Sequence, residues 1–260
     1  MFESVMELTR EQVQWLDECT KGTWALNPQT GLIDVKGGFN CSQQSLTDFK
    51  GVKFGIVDHS FDCSDNALTS LMGAPHEVDD SFYCSENQLT SLVGAPLKVG
   101  GYFYCYDNAL TSLAGSPQSV RSFHCENNRL TSLVGAPREV SGSFVCQNNH
   151  LTSLVGAPLK VGGSFFDCQN NHLTSLEGAP LKFGGIFYCG NNPVSRETLK
   201  TIFTKMQKGT SYLAAVESLW SEIPLDDQVL LYADDFKWVS PEQSRVIVAL
   251  RAYQGLRGML

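Results

Sequence analysis

The residues of this chain best suited to chemistry are its nine cysteines and five histidines. Eight cysteines, Cys41, Cys63, Cys84, Cys105, Cys125, Cys146, Cys168 and Cys189, stand 20 to 22 residues apart. A nucleophilic thiolate needs a cation or base beside it. His124 adjoins Cys125, but alternation along a strand sends adjacent side chains to opposite faces. A zinc site needs close pairs such as Cys-x-x-Cys, and this spacing offers none. His150 and His172 share a repeat position with Gln88 and Arg129, which marks a variable surface site. The serines of the recurrent Leu-Thr-Ser-Leu have no histidine in register and suit turn hydrogen bonding. No phosphate-binding or dinucleotide fingerprint is present, and the Gly-Gly pairs at 100–101, 162–163 and 184–185 are repeat turns. The chain is expected to be no enzyme and to hold no metal or cofactor.

The cysteines instead mark a structural period. Phenylalanine stands two places before each of the eight, at Phe39, Phe61, Phe82, Phe103, Phe123, Phe144, Phe166 and Phe187. Asparagine stands three places after seven of them, from Asn66 to Asn192. Leucines follow at five and eight places, as Leu110 and Leu113 do after Cys105, and most coils add a valine such as Val120. Self-similarity at this period predicts a solenoid whose coils bury apolar residues against their neighbours. Phenylalanine and cysteine point inward from one short strand, and a cysteine in such a place behaves as a small hydrophobe. Gly-Ala-Pro, as at Gly94-Ala95-Pro96, is turn chemistry that disfavours a helical return. The asparagines are expected to satisfy backbone groups of adjacent rungs.

This pattern resembles the leucine-rich repeat, Leu-x-x-Leu-x-Leu-x-x-Asn-x-Leu. Residues 99–113 match it through Val99, Phe103, Cys105, Asn108 and Leu110. Coil length and the Leu-x-Gly-x-Pro ending look like the short bacterial subtype, which implies a parallel sheet on a concave face and extended returns. The departures are Phe and Cys at sites usually aliphatic. The resemblance covers roughly residues 38–192. The whole layout also looks like that of leucine-rich-repeat proteins carried by tailed bacteriophages, through Trp-Leu-x-x-Cys, Gly-Thr-Trp, Gly-Leu-Ile-Asp-Val and Asn-Asn-Pro-Val-Ser.

A solenoid exposes core at both ends, so α-helical N- and C-terminal caps are expected. The predicted organisation is a cap with a first strand over 1–37, about eight repeats over 38–192 and a helical domain over 193–260. Thr9 and Gln12 form a capping box that opens a helix through about Cys19; Gly31–Val35 reads as a strand. Gln44, Phe49 and Lys53 depart from the repeat as a capping coil should. Asn192-Pro193 is expected to stop the strands. Helices are then predicted over Arg196–Lys208, Tyr212–Glu222, Asp226–Ala233 and Pro241–Leu256. The aromatic and apolar residues Trp220, Leu230, Leu231, Tyr232, Phe236 and Trp238 are expected to pack that tail on the last rung.

Residues flanking Phe and Cys should face outward on the concave sheet. They include six acids, Asp62, Asp65, Glu86, Asp107, Glu126 and Asp167, and no Lys or Arg. All of the net charge of −8 lies in residues 1–192, because 193–260 hold eight acids and eight bases. Nucleic acid calls for a basic groove, so the expected partner is a protein with a basic surface. Tyr83, Tyr104, Tyr106 and His124 are the candidate anchors, and Asp62, Asp65, Glu86, Asp107 and Glu126 the steering charges. A solvated face, with tyrosines chosen for β propensity, fits the same residues. The composition has no membrane span, and the acidic first residues lack the pattern of a secretory signal. A cytoplasmic protein, in the host if phage-borne, is expected, with oligomeric state open. Binding of a nucleotide or sugar, or structural self-assembly, are the alternatives.

Overall fold

The computed structural model describes residues 7–163, 165–174, 178–180, 182–183 and 186–194, together with strand segments at 225–226 and 230–232. Helix α1 (Arg10–Cys19) opens at Thr9, whose hydroxyl accepts from Gln12 N while the Gln12 side chain accepts from Thr9 N. This box satisfies two of the first-turn donors that a helix leaves free. α1 buries Trp15, Leu16 and Cys19. The Trp15 ring meets Phe39 and Phe54 edge-on at centroid distances of 5.3 and 6.2 Å. Gln44 occupies the place of the usual asparagine and ties the helix down. It accepts from Trp15 Nε1 at 2.8 Å and donates toward Cys19 Sγ at 3.2 Å.

Strands β1 (Thr20–Leu26) and β2 (Ile33–Asn40) form an antiparallel pair in which Gly22 faces Gly37. Both have positive φ, at 138° and 129°, and a Cβ on either would lie 2.0 Å from the opposing carbonyl oxygen. Only glycine allows so close a crossing.

β2 then starts two parallel rows at once. Its first half pairs with Phe54–Val57 and its last residues with Phe61–Asp62. Later coils repeat this division with two short strands, as in Lys98–Val99 and Tyr102–Tyr104 with a bend between them. One row aligns Phe39, Phe61, Phe82, Phe103, Phe123, Phe144, Phe166 and Phe187 in register. Their rings follow one another at 5.0–5.7 Å with interplanar angles of 6–32°. The other row aligns in backbone register Val57, Val78 and Val99 and, further on, Val120, Val140, Val161 and Phe183. Between the rows sit the fully buried leucines, among them Leu68, Leu71, Leu110 and Leu113. Among the described residues the result is a parallel-strand β-solenoid with little helix.

Polar backbone groups inside the coil are met by the asparagines. In each of Asn66, Asn87, Asn108, Asn128, Asn149, Asn171 and Asn192, Oδ1 accepts a leucine N–H of the preceding coil at 2.9–3.0 Å. Nδ2 donates to the preceding coil's cysteine carbonyl at 2.9–3.1 Å. It also lies within 3.3 Å of its own coil's cysteine carbonyl. All nine cysteines are buried and none forms a disulfide. Cys63, Cys105, Cys125 and Cys168 donate to a carbonyl of the next coil at 3.3 Å.

The C-terminal side differs from the expectation. Pro193 begins a strand instead of ending one, and Pro193–Val194 pairs antiparallel with Leu225–Asp226. Proline is tolerated at a strand's first residue. Leu230–Tyr232 is a strand, not part of a helix over Asp226–Ala233, and it pairs antiparallel with Ile186–Tyr188. That rung would otherwise present unpaired N–H and C=O groups. The helices expected over Arg196–Lys208, Tyr212–Glu222 and Pro241–Leu256, with Trp220, Phe236 and Trp238, lie outside the described residues. Among the described residues no helix is long and apolar enough to cross a membrane.

Candidate functional site

The outer face of the Phe-bearing sheet is built from the three positions that flank each cysteine. At the position before it, Tyr83, Tyr104 and His124 stand in register on consecutive strands and are half-buried. Tyr83 meets Tyr104 edge-on at 5.3 Å, and His124 lies 4.5 Å from Tyr104, centroid to centroid. Tyr106 joins from the position after the cysteine, 6.0 Å from Tyr104. The structure thus brings all four anchor candidates into one ring cluster, extended by Tyr102 at 5.7 Å from Tyr104. Tyr102 lies outside the three flanking positions, and its signal was the unusual Tyr-Phe-Tyr triplet at 102–104.

Glu126 borders the cluster. Its Oε1 is 3.6 Å from His124 Nδ1, and its Oε2 is buried with no hydrogen-bond partner among the described residues. Burial raises the pKa of the Tyr104 phenol, and the charges of Tyr83, Tyr102, Glu126 and Tyr106 add to the rise. Tyr104 therefore stays a neutral hydroxyl well past neutral pH.

The other acids divide by position. Asp62 is engaged within its own coil: Oδ1 accepts from Ser64 N at 3.0 Å and Ser64 Oγ at 2.6 Å. Asn40 makes the same turn with Ser42. Asp167 uses it with Gln169 but is only 9% exposed, and burial, the largest influence, raises its pKa. Val145 and Ser85, in the outward columns, are also buried. Asp65, Glu86 and Asp107 are exposed, but they sit in the turn that leaves the strand. Their φ values are 52°, 55° and 51°. The same left-handed turn is taken by Gln43, Asn127, Asn148, Asn170 and Asn191. Asn148 and Asn191 donate to the asparagine of the coil before at 2.7 Å. A carboxylate cannot donate, so three like charges follow one another on consecutive coils where asparagine forms a ladder.

His124 and Cys125 point to opposite faces, and burial raises the Cys125 pKa well above its usual value. Such a thiol is a poor nucleophile. His150 and His172 stack at 5.6 Å on the exposed surface. Among the described residues no group of three His, Cys, Asp or Glu could hold a metal ion. Two open grooves lie elsewhere. One of about 570 Å³ runs over the Val-bearing row past Lys98, Arg121 and Lys160, and one of about 550 Å³ adjoins Phe49, Met72 and Leu97 near the turns. Comparison of the chain with protein-family models, with curated proteins and with solved structures finds no match.

Proposed function

We propose that this chain is a non-enzymatic protein-binding module of the leucine-rich-repeat type, engaging a basic surface on the outer face of its Phe-bearing sheet. The observation that carries the reading is the contiguous cluster of Tyr83, Tyr104, Tyr106 and His124, flanked by carboxylates and by no Lys or Arg in the three outward columns. Aromatic side chains held in place by neighbours contribute large contact area at little ordering cost on binding. Glu126, Asp107 and Glu86 supply the charge that steers a basic partner, and Asp65 extends the same column. Asp62 belongs to the patch mainly as a turn former. The resemblance in layout to bacteriophage leucine-rich-repeat proteins supports a host or viral protein as partner in an infected cell's cytoplasm. In this reading α1 is the N-terminal cap, and the tail beyond residue 194 closes the other end.

The test compares affinity capture by the wild type with that by Tyr104→Ala/Tyr106→Ala/Asp107→Lys. A control variant, Glu139→Ser, alters the Val-bearing row. The expected result is a prey kept by wild type and control and lost by the triple variant at an unchanged unfolding midpoint. Equal recovery of every prey by all three proteins would overturn the reading.

A further inference from the structure

The ring cluster already accommodates one guanidinium of its own chain. Arg121 Cζ lies 5.3 Å from the Tyr102 ring centroid, at the margin where Tyr102 packs on Tyr104. Inward from that margin, Tyr83, Tyr104 and Tyr106 continue the aromatic run with no cation from this chain in the flanking columns. Glu126 stands beside them with one buried oxygen that no donor among the described residues satisfies. Among the described residues its cationic neighbour within 4 Å is His124, which is charged only when protonated. A carboxylate held this way leaves negative charge uncompensated in a partly desolvated site. Asp107 adds an exposed charge on the coil that carries Tyr104 and Tyr106.

A cation over such rings is attracted by their quadrupole and by the neighbouring carboxylates. Guanidinium suits the place better than ammonium. It is planar, weakly hydrated and stacks on aromatic faces, whereas ammonium is a strongly hydrated point charge. We infer that the Tyr83–Tyr104–Tyr106–His124 cluster with Glu126 is a seat for an arginine side chain presented by the protein partner. The inference rests on the protein-binding reading above and narrows it to one side chain and one place.

Fluorescence anisotropy of the full chain with fluorescein-labelled octa-arginine and octa-lysine, at matched salt, tests it. Octa-arginine should bind roughly 5-fold or more tighter than octa-lysine, as stacking on a partly desolvated ring predicts. Tyr104→Ala and Glu126→Gln should each erase that ratio, while Tyr104→Phe, which keeps the ring, retains it. Should Tyr104→Ala fail to fold, Glu126→Gln against Tyr104→Phe makes the same comparison. Equal affinities for the two peptides, or a preference that survives both disabling variants, would overturn the seat. A prey lost by the triple variant together with equal peptide affinities would sink the arginine seat alone. No variant-sensitive prey would sink the protein-binding reading instead.

Discussion

Replacing Asn149 by alanine tests the bonding between coils most directly. Asn149 is 3% exposed, and its Oδ1 accepts Leu130 N at 2.9 Å. Its Nδ2 faces the carbonyls of Cys125, Cys146 and Gln147 at 3.1–3.2 Å. Each carbonyl keeps another donor in the variant: Asn128 Nδ2 for Cys125, Asn171 Nδ2 for Cys146 and Asn127 N for Gln147. The group left orphaned is the buried N–H of Leu130. An unsatisfied buried donor costs about 1–3 kcal/mol and each lost hydrogen bond about 0.5–1.5, so Asn149→Ala should destabilise by roughly 2–6 kcal/mol. With a urea m-value of about 2 kcal/mol/M, the midpoint should fall by about 1–3 M. Asn149→Asp keeps the acceptor for Leu130 but sets a carboxylate against three carbonyl oxygens. It should cost at least as much at pH 7, and part of the loss relative to wild type should return at low pH. Asn148→Gly, next door in the exposed left-handed turn, should stay within about 0.5 kcal/mol of wild type. Urea unfolding followed by circular dichroism reads all three. If Asn149→Ala stays as stable as Asn148→Gly, the asparagines do not join the coils as described.

Two more outcomes follow from the same strands and turns. Glu86 holds φ of 55° where other coils place asparagine or aspartate, a conformation that Asn tolerates better than Glu does. Glu86→Asn should therefore stabilise by up to about 1 kcal/mol, and a lower urea midpoint would contradict the strain. Asp167 has its folded-state pKa raised by burial, so the folded state holds this proton more tightly than the unfolded chain does. Its contribution is most favourable below the ordinary aspartate range and is lost as pH rises through the raised value. Asp167→Asn should gain stability relative to wild type between acid and neutral pH, read as paired urea midpoints at pH 4 and 7, and a constant difference would refute the assignment.

What the sequence revealed was the material that repeats. The Phe, Cys, Val and Leu columns were legible because every coil restates them, and α1 because its capping box is local. Asn149 could be assigned a backbone task, but its four partners come from two coils and only three-dimensional stacking identifies them. The site was legible as a set of columns, and less so residue by residue. Asp62 reads as a free acid until its turn with Ser64 is seen. The left-handed turn did leave a trace: Asp or Asn fills six of the seven positions from Asp65 to Asn191, and Glu86 is the exception. The stretch Asp226–Ala233 carries Leu and Val at spacings compatible with a helix. Pairing with the open edge at Ile186–Tyr188 overrides that local preference, as tertiary context commonly does.

The asparagine bonds also have a direction. Each one reaches back to the coil before it, so the first coil has no predecessor to serve and can use Gln44 to hold α1 instead. Every interior junction offers the same donors, acceptors and ring faces as the next. Removing or duplicating one whole coil, for instance Cys105 through His124, would rejoin matching surfaces, whereas a cut of ten residues would place a leucine opposite a carbonyl. The chain's length is therefore quantised: it can change by whole coils while the helix-bearing start and the antiparallel finish stay as they are.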